Sequence, residues 1–238
     1  MRTRDKEWEV DIINRIMGIF YEPGKVFRTL SQKPDWLVPF LLVFIVSLLF
    51  ILVTLPKFIL PEQAETIMER FPEGMPQEEK DEIVERMSGT QGLIFGILGT
   101  VFVLFFLLFG RAGIFLGVLS LMGGKPTYTH SLAVVSYSML IHSLDAVIKG
   151  ILMFIKGTSR VYTSLALLLP EGDPLSKSFQ FLARFDVFTL WELSLLSIGF
   201  SVMNKISFKK LASIVFGLWI FWVILSVSIG GTFQFGTR

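Results

Sequence analysis

Charged and apolar residues are separated along this chain into long blocks. Residues 36–56, 88–110 and 211–237 contain no charged side chain, and apolar residues dominate each of them. A helix needs about 20 apolar residues to cross about 30 Å of hydrocarbon. Two weaker stretches between them are apolar but carry charges. The pattern predicts an all-α polytopic membrane protein with five transmembrane helices, at about 36–55, 91–122, 128–155, 185–203 and 211–229.

The first 35 residues are polar and precede the first span. Within them Trp8, Ile12, Ile16 and Ile19 recur at helical spacing and fall within an arc of about 80°, with polar residues such as Arg15 on the opposite side. The spacing predicts an amphipathic helix lying on the membrane surface. A simple surface anchor is the preferred interpretation. A curvature sensor or a partner-binding helix is the alternative.

The stretch after the first span is strongly acidic. Residues 61–87 contain nine acidic and three basic side chains, and the sequence PEGMP at 72–76 divides them into two halves. Each half has apolar residues at helical spacing, so residues 57–90 are predicted to form a helical hairpin outside the membrane. A solvated face is the simplest interpretation. Attraction of cations, or docking to a basic partner, is the alternative.

The distribution of Lys and Arg predicts the orientation. The side that holds the N-terminus carries twelve of these residues, close to the membrane ends, and the other side carries ten in longer loops. The expected arrangement is a multi-pass protein of the cell (plasma) membrane. Residues 1–35 are then cytoplasmic, the transmembrane domain covers residues 36–230, the acidic hairpin is extracytoplasmic, and the tail at 231–238 lies outside the cell.

Polar side chains recur on two of the spans at membrane depth. Helical projection places Ser138, His142, Asp145 and Lys149 in one stripe of the third span, within about 60°. The fourth span has a comparable stripe, whereas Glu192 projects in another direction. Charges facing lipid are unfavourable by several kcal/mol, so the two stripes are expected to face each other or a wet cavity. The predicted intramembrane polar seam consists of Arg111, Ser138, His142, Asp145, Lys149, Asp186, Ser197, Ser201 and Asn204.

Three interpretations of this seam remain open. Polar contacts between membrane helices commonly hold them in register, which is a structural role. Intramembrane carboxylates and histidines also serve as relay groups, so a solute, ion or proton pathway is the second interpretation. A hydrolase or metal site is the third. It is disfavoured because the chain has two histidines and no pair at metal-ligand spacing.

Composition excludes several classes of site. The chain has no cysteine, which removes disulfides, thiolate metal sites and cysteine nucleophiles. Its net charge of +2 is too small to indicate nucleic-acid binding. Gly123, Gly124 and Lys125 predict a tight structural turn rather than a phosphate-binding loop, because the upstream glycine and the following Ser or Thr are missing. No catalytic residue, metal or cofactor is predicted.

Four stretches resemble the Yip family of membrane proteins (the Ypt/Rab-interacting-protein, or Yip1 domain, family) in its prokaryotic form. They are residues 20–27 (FYEPGKVF), 33–39 (KPDWLVP), 121–128 (LMGGKPTY) and 186–191 (DVFTLW) followed by 198–200 (IGF). The resemblance covers roughly residues 15–230. The acidic hairpin is not part of the pattern.

The resemblance implies a non-enzymatic membrane protein that organises the bilayer or binds partners as a scaffold. It brings no catalytic residues, and the Rab-type GTPase partner of eukaryotic relatives is not carried over. The expected partners are the lipid bilayer, a second copy of the chain or other membrane proteins. The alternative function is a permease or channel for ions or small solutes, with its path along Asp145, Lys149 and Asp186.

Overall fold

The structure is a computed structural model that describes residues 12–69, 71, 72, 74–169 and 176–230. These residues contain α-helices and no β-strand. Residues 12–18 are helical. The helices that follow are α1 (Pro23–Leu30), α2 (Leu37–Met68), α3 (Gln77–Ser88), α4 (Thr90–Leu121), α5 (Tyr128–Lys156), α6 (Lys177–Ala183), α7 (Val187–Asn204) and α8 (Phe208–Gly230).

Five of these helices, α2, α4, α5, α7 and α8, are long and apolar enough to cross a membrane. This confirms the predicted all-α fold with five spans. Both α2 and α4 have 32 residues, which corresponds to about 48 Å at 1.5 Å per residue. Since the hydrocarbon layer is about 30 Å thick, each must tilt or extend beyond it.

The helix that contains the first span does not end near residue 55, where the sequence suggested an exit. A π-helical turn at Leu55–Ile59 accommodates Pro56, and the α-helix continues from Leu60 to Met68. A proline inside an α-helix removes one hydrogen bond and crowds the carbonyl four residues earlier. The wider turn relieves that crowding, so the chain stays helical past the proline.

The chain divides into two compact units, each made of three segments. Unit 1 comprises Met1–Val43, Phe105–Leu144 and Phe188–Ile220, and unit 2 comprises Phe44–Leu104, Asp145–Val187 and Phe221–Arg238. Unit 1 is held together by tight helix approaches and aromatic pairs. A Cβ atom at Gly199 of α7 would lie 2.7 Å from Val134 Cγ1 of α5, so only glycine allows this spacing.

The core of unit 2 lies around Phe58, Met153 and Val161, which are buried. Phe58 meets Phe154 edge-to-face, with ring centroids 5.1 Å apart, and Lys57 Nζ lies 4.3 Å from the Phe154 centroid. The lysine close to Pro56 therefore has an aromatic partner, which lowers the cost of a charge near the membrane.

Large apolar side chains cover the outside of the long helices. Phe95 and Phe102 of α4 are more than two thirds exposed, at 73% and 71%. Such exposure would be unfavourable in water but is favourable against lipid chains. The exposed apolar surface therefore agrees with five helices that cross a bilayer.

Candidate functional site

A buried carboxylate, Glu192, lies in unit 1 on the inner face of α7. Only 3% of its side chain is exposed. Arg111 Nη1 of α4 donates to Glu192 Oε1 at 2.5 Å, and His142 Nε2 of α5 lies 3.1 Å from Glu192 Oε2. The three residues, here called the Glu192 cluster, connect three spans of the unit.

Local helix geometry positions this cluster. Glu192 shares the buried face of α7 with Leu196 and Gly199, four and seven residues further on. Arg111 follows directly after a π-helical turn at Phe106–Gly110. One additional residue in a turn rotates the following side chains by about 100° relative to a continuous α-helix. That rotation decides which face of α4 carries Arg111.

A second cluster lies in unit 2 around Lys149. Its Nζ atom lies 2.9 Å from Asp145 and 3.2 Å from Asp186 Oδ2. The hydroxyl of Thr163 also donates to Asp186 Oδ2. The lysine, the two aspartates and the threonine are here called the Lys149 cluster. Two carboxylates face one ammonium group, so the cluster has a formal charge of −1.

Asp186 reaches Lys149 from the loop just before α7. Backbone hydrogen bonds hold that loop against the segment after α5, because Leu165 N donates to Phe185 O at 3.1 Å and Ser164 pairs with Asp186 in an antiparallel bridge. Asp145 and Lys149 are four residues apart on α5 and meet along one helix face, as their spacing predicts. Loop and helix together present the two carboxylates to one cation.

Three of the four remaining residues of the predicted seam make local hydrogen bonds. Ser197 donates to Leu193 O at 2.7 Å, Ser201 to Ile206 O at 2.7 Å and Asn204 to Phe200 O at 3.1 Å. Ser138 of α5 is buried, and its Oγ has no hydrogen-bond partner among the described residues. Most of the charged seam residues thus make contacts between elements, whereas Ser197, Ser201 and Asn204 bond within their own helix or to the adjacent turn.

Sequence reasoning missed Glu192 as a member of the site. The helical projection of the fourth span was referenced to Asp186, but α7 begins at Val187 and Asp186 belongs to the loop. A projection referenced to the apolar positions Leu196 and Gly199 places Glu192 on the buried face. The signal was therefore present in the spacing of apolar residues, not of polar ones.

The N-terminal amphipathic helix stays a prediction, and Trp8 lies outside the described residues. Ile19 is fully buried, and Ile12 and Ile16 are half-buried. Arg15 was expected on the solvent side but is only 4% exposed, and its Nη2 lies 3.9 Å from Asp35 Oδ2. An ion pair to the segment before α2 explains why this arginine faces inward.

The glycine turn ends α4. Gly123 has a φ of +79°, and Gly124 N donates to Leu119 O at 3.0 Å. A glycine with positive φ directly after a helix is the usual way to satisfy its last carbonyls. The turn leads through Lys125 to Thr127, the N-cap residue of α5.

The family model of the Yip1 domain matches residues 17–230. The chain belongs to the Yip1 domain family. The matched range covers the Glu192 cluster, the glycine turn and the Lys149 cluster.

A curated relative of this Yip1 domain protein is "Membrane protein YknW" of Bacillus subtilis (strain 168). The two chains are 24% identical over 218 residues, which is 89% of each chain. No solved structure matches the chain.

Proposed function

We propose that this Yip1 domain protein is a non-enzymatic membrane protein that organises the bilayer or binds partner proteins as a scaffold. The observation that carries the proposal is the internal pairing of its membrane charges. Arg111 and His142 engage Glu192, and Lys149 engages two aspartates, at distances of 2.5 to 3.2 Å. Ionic contacts of this kind hold elements in register, which supports the structural interpretation of the seam.

The outer surface of the spans supports the binding of lipid or of other helices. Gly113 and Gly117 lie one turn apart on α4, and a Cβ atom at either position would meet no atom within 4 Å. By contrast, a Cβ atom at Gly96 would lie 2.5 Å from Leu55 Cδ2 of the same chain. Small residues four apart allow close helix approach. The Gly113 face can therefore accept a helix of a second copy or of another membrane protein.

The proposed location and orientation follow from the distribution of Lys and Arg. The chain is a membrane protein, and we place it in the cell membrane with its N-terminus in the cytoplasm and its C-terminus outside. The support is the excess of Lys and Arg near the membrane ends on the N-terminal side. The domain limits of 1–35, 36–230 and 231–238, with the acidic hairpin at 57–90, belong to this proposal. No Rab-type GTPase is included as a partner.

A permease or channel is the second candidate function. The observation that favours it is the partial exposure of the Lys149 cluster, whose three charged side chains remain between 10% and 23% exposed. A partly exposed anionic group inside a membrane protein attracts cations or protons. Asp145, Lys149 and Asp186 would form the path.

Flux in proteoliposomes separates the two functions. The full chain is reconstituted as wild type and as Asp186→Asn, and the flux of protons, monovalent cations and small solutes is followed. A scaffold gives no flux above empty vesicles for either protein, while Asp186→Asn lowers stability because Lys149 loses one carboxylate. A wild-type flux that Asp186→Asn removes, with the fold retained, would replace the scaffold by a permease.

Crosslinking in native membranes tests the proposed helix contact. Gly117→Leu is expected to abolish the crosslinks made from α4 without lowering stability, because the added side chain starts from a Cβ position with no atom within 4 Å. Gly99→Leu is the matched control, since its Cβ position is equally open and it lies outside the Gly113–Gly117 pair. Crosslinks that are unchanged in Gly117→Leu would contradict a partner helix at this face.

A further inference from the structure

Unit 1 carries an excess of positive charge. Its described residues include nine Lys and Arg and three Asp and Glu, whereas the described residues of unit 2 include eight basic and ten acidic side chains. Each of the three acids of unit 1, Glu22, Asp35 and Glu192, is in an ion pair with a basic side chain of the same unit. The excess charge is therefore left to be balanced from outside the chain.

Five of these bases lie at the ends of helices. Arg28 is in the last turn of α1, Lys125 follows the glycine turn, Lys205 follows α7, and Lys209 and Lys210 are in the first turn of α8. All five side chains are exposed. They are here called the basic end of unit 1.

Contacts between the helix ends bring these bases to one side of the unit. His130 Nε2 lies 3.2 Å from Ser31 O, which connects the start of α5 to the segment after α1. A Cβ atom at Gly124 would lie 3.6 Å from Asn204 Oδ1, which connects the glycine turn to the end of α7. Ser31, Lys125 and Asn204 also line one cavity. The bases close to these residues in the chain therefore form one surface.

The backbone at Lys205 does not favour a lysine. Its φ of +54° lies in the left-handed region, where glycine is favoured because it has no Cβ. At the end of α4 the corresponding position, with a φ of +79°, is occupied by Gly123. Side chains kept at an unfavourable backbone position are concentrated at functional sites. The observation indicates that the lysine side chain has a role beyond ending the helix.

The start of α8 shows a second local conflict. Lys209 and Lys210 lie in its first turn, and that turn contains no acidic residue. The N-terminus of a helix is the positive end of its dipole, so basic side chains are unfavourable there and anions are favourable. An anion bound outside the chain would compensate both the lysines and the dipole.

Apolar neighbours of the basic end favour lipid as the source of that anion. Leu121, two residues before the glycine turn, is 91% exposed, and Phe208, next to Lys209, is 47% exposed. Four spans begin or end here, namely α4, α5, α7 and α8. Exposed apolar side chains beside lysines at the ends of spans are typical of a surface that contacts both acyl chains and headgroups. An acidic protein surface would not require the apolar side chains.

We propose that the basic end of unit 1 binds the headgroups of anionic phospholipids. At physiological ionic strength charges act over about 8 Å, so bases from different helices can attract the same lipids. The proposal rests on the proposed function, because it names the lipid that a protein organising the bilayer would gather around itself. Its failure would leave the flux and crosslinking tests of that function unaffected.

Native mass spectrometry of the purified full chain in a maltoside detergent tests the proposal. Phosphatidylglycerol and phosphatidylcholine with the same acyl chains are titrated, and the ratio of their apparent affinities is measured. Each base near an anionic lipid surface strengthens binding about five-fold at low salt. Wild type should therefore prefer phosphatidylglycerol about five-fold or more, and Lys209→Gln combined with Lys210→Gln should lower this ratio by a similar factor. Added salt should lower the wild-type ratio as well.

Two further variants separate the surface from net charge and from folding. Lys156→Gln combined with Lys177→Gln removes two exposed lysines of unit 2. It changes the net charge equally and should leave the ratio as in wild type. Lys205→Gly removes a base and also relieves the positive φ. It should lower the ratio while the free energy of unfolding stays the same or rises.

The results either support the lipid surface or remove it. A preference for phosphatidylglycerol that falls in the basic-end variants and stays in the unit 2 variant supports the proposal. A wild-type ratio near one would overturn it, as would a unit 2 variant that lowers the ratio as much as the α8 variant does. Polyglutamate that displaces phosphatidylglycerol at equal charge concentration would assign the surface to an acidic protein instead.

Discussion

Replacing Glu192 by glutamine removes the anion on which the Glu192 cluster depends. The volume of the side chain is nearly unchanged, but Arg111 and His142 lose their shared carboxylate. Removing one partner of a buried ion pair typically lowers stability by about 3–5 kcal/mol, because the other charge stays buried. Arg111 is 19% exposed, so its guanidinium group can extend toward water and regain part of its solvation. We therefore expect a loss at the lower end of this range, of about 3 kcal/mol.

The measurement is the free energy of unfolding of the full chain in mixed micelles of maltoside and dodecyl sulfate, followed by tryptophan fluorescence. A loss of 3 kcal/mol corresponds to about a 150-fold change in the unfolding equilibrium constant. Glu22→Gln is the matched control in the same unit, since Glu22 pairs with Lys25 on an exposed surface at 3.2 Å. Exposed pairs contribute little, so this variant should unfold as wild type does.

A double variant tests the reason for the loss. Arg111→Gln combined with Glu192→Gln removes both charges and leaves two amides that can bond to each other. We expect this protein to be more stable than Glu192→Gln alone, because the uncompensated arginine is gone. A Glu192→Gln protein within about 0.5 kcal/mol of wild type would refute a stabilising ion pair. A double variant that is less stable than Glu192→Gln would refute the explanation by unpaired charge.

Two further predictions concern packing and a loop. Gly199→Ala should destabilise the protein by about 1–3 kcal/mol. The new methyl group would lie 2.7 Å from Val134 Cγ1, and a β-branched side chain moves little. The free energy of unfolding measures the loss of stability. Glu62→Gln should weaken the attachment of the loop after α5 by about 1 kcal/mol. The reason is that Ser159 donates both its N–H and its hydroxyl to the Glu62 carboxylate. Hydrogen exchange at the Ser159 amide measures the loss of protection.

Controls accompany both predictions. Gly117→Ala adds a methyl group where no atom lies within 4 Å, and it should keep or raise stability because alanine favours helix. Equal stability of Gly199→Ala and Gly117→Ala would contradict the close packing of α7 on α5. Glu85→Gln, on α3, should leave exchange at Ser159 unchanged. Protection of this amide that is equal in Glu62→Gln and wild type would contradict the loop contact.

The predicted polar seam shows which contacts the spacing of side chains can predict and which it cannot. Asp145 and Lys149 were placed on one face from their separation of four residues, and the structure brings them within 2.9 Å. Glu192 was assigned to another direction, yet it is the most buried of the membrane charges in the two clusters. Spacing within one helix is a local property, whereas the rotation of one helix relative to another depends on packing. The polar pattern alone does not determine that rotation.

The sequence by itself determined the five spans, since their length and apolar content leave a bilayer as the only solvent in which they are favourable. It also placed the glycine turn, because positive φ at Gly123 strongly favours glycine. Only the tertiary structure decided the partners of the charges. These depend on the π-helical turn at Phe106–Gly110, which precedes Arg111, and on contacts between residues far apart in the chain. Such contacts form where packing brings helices together, and a linear pattern does not contain that information.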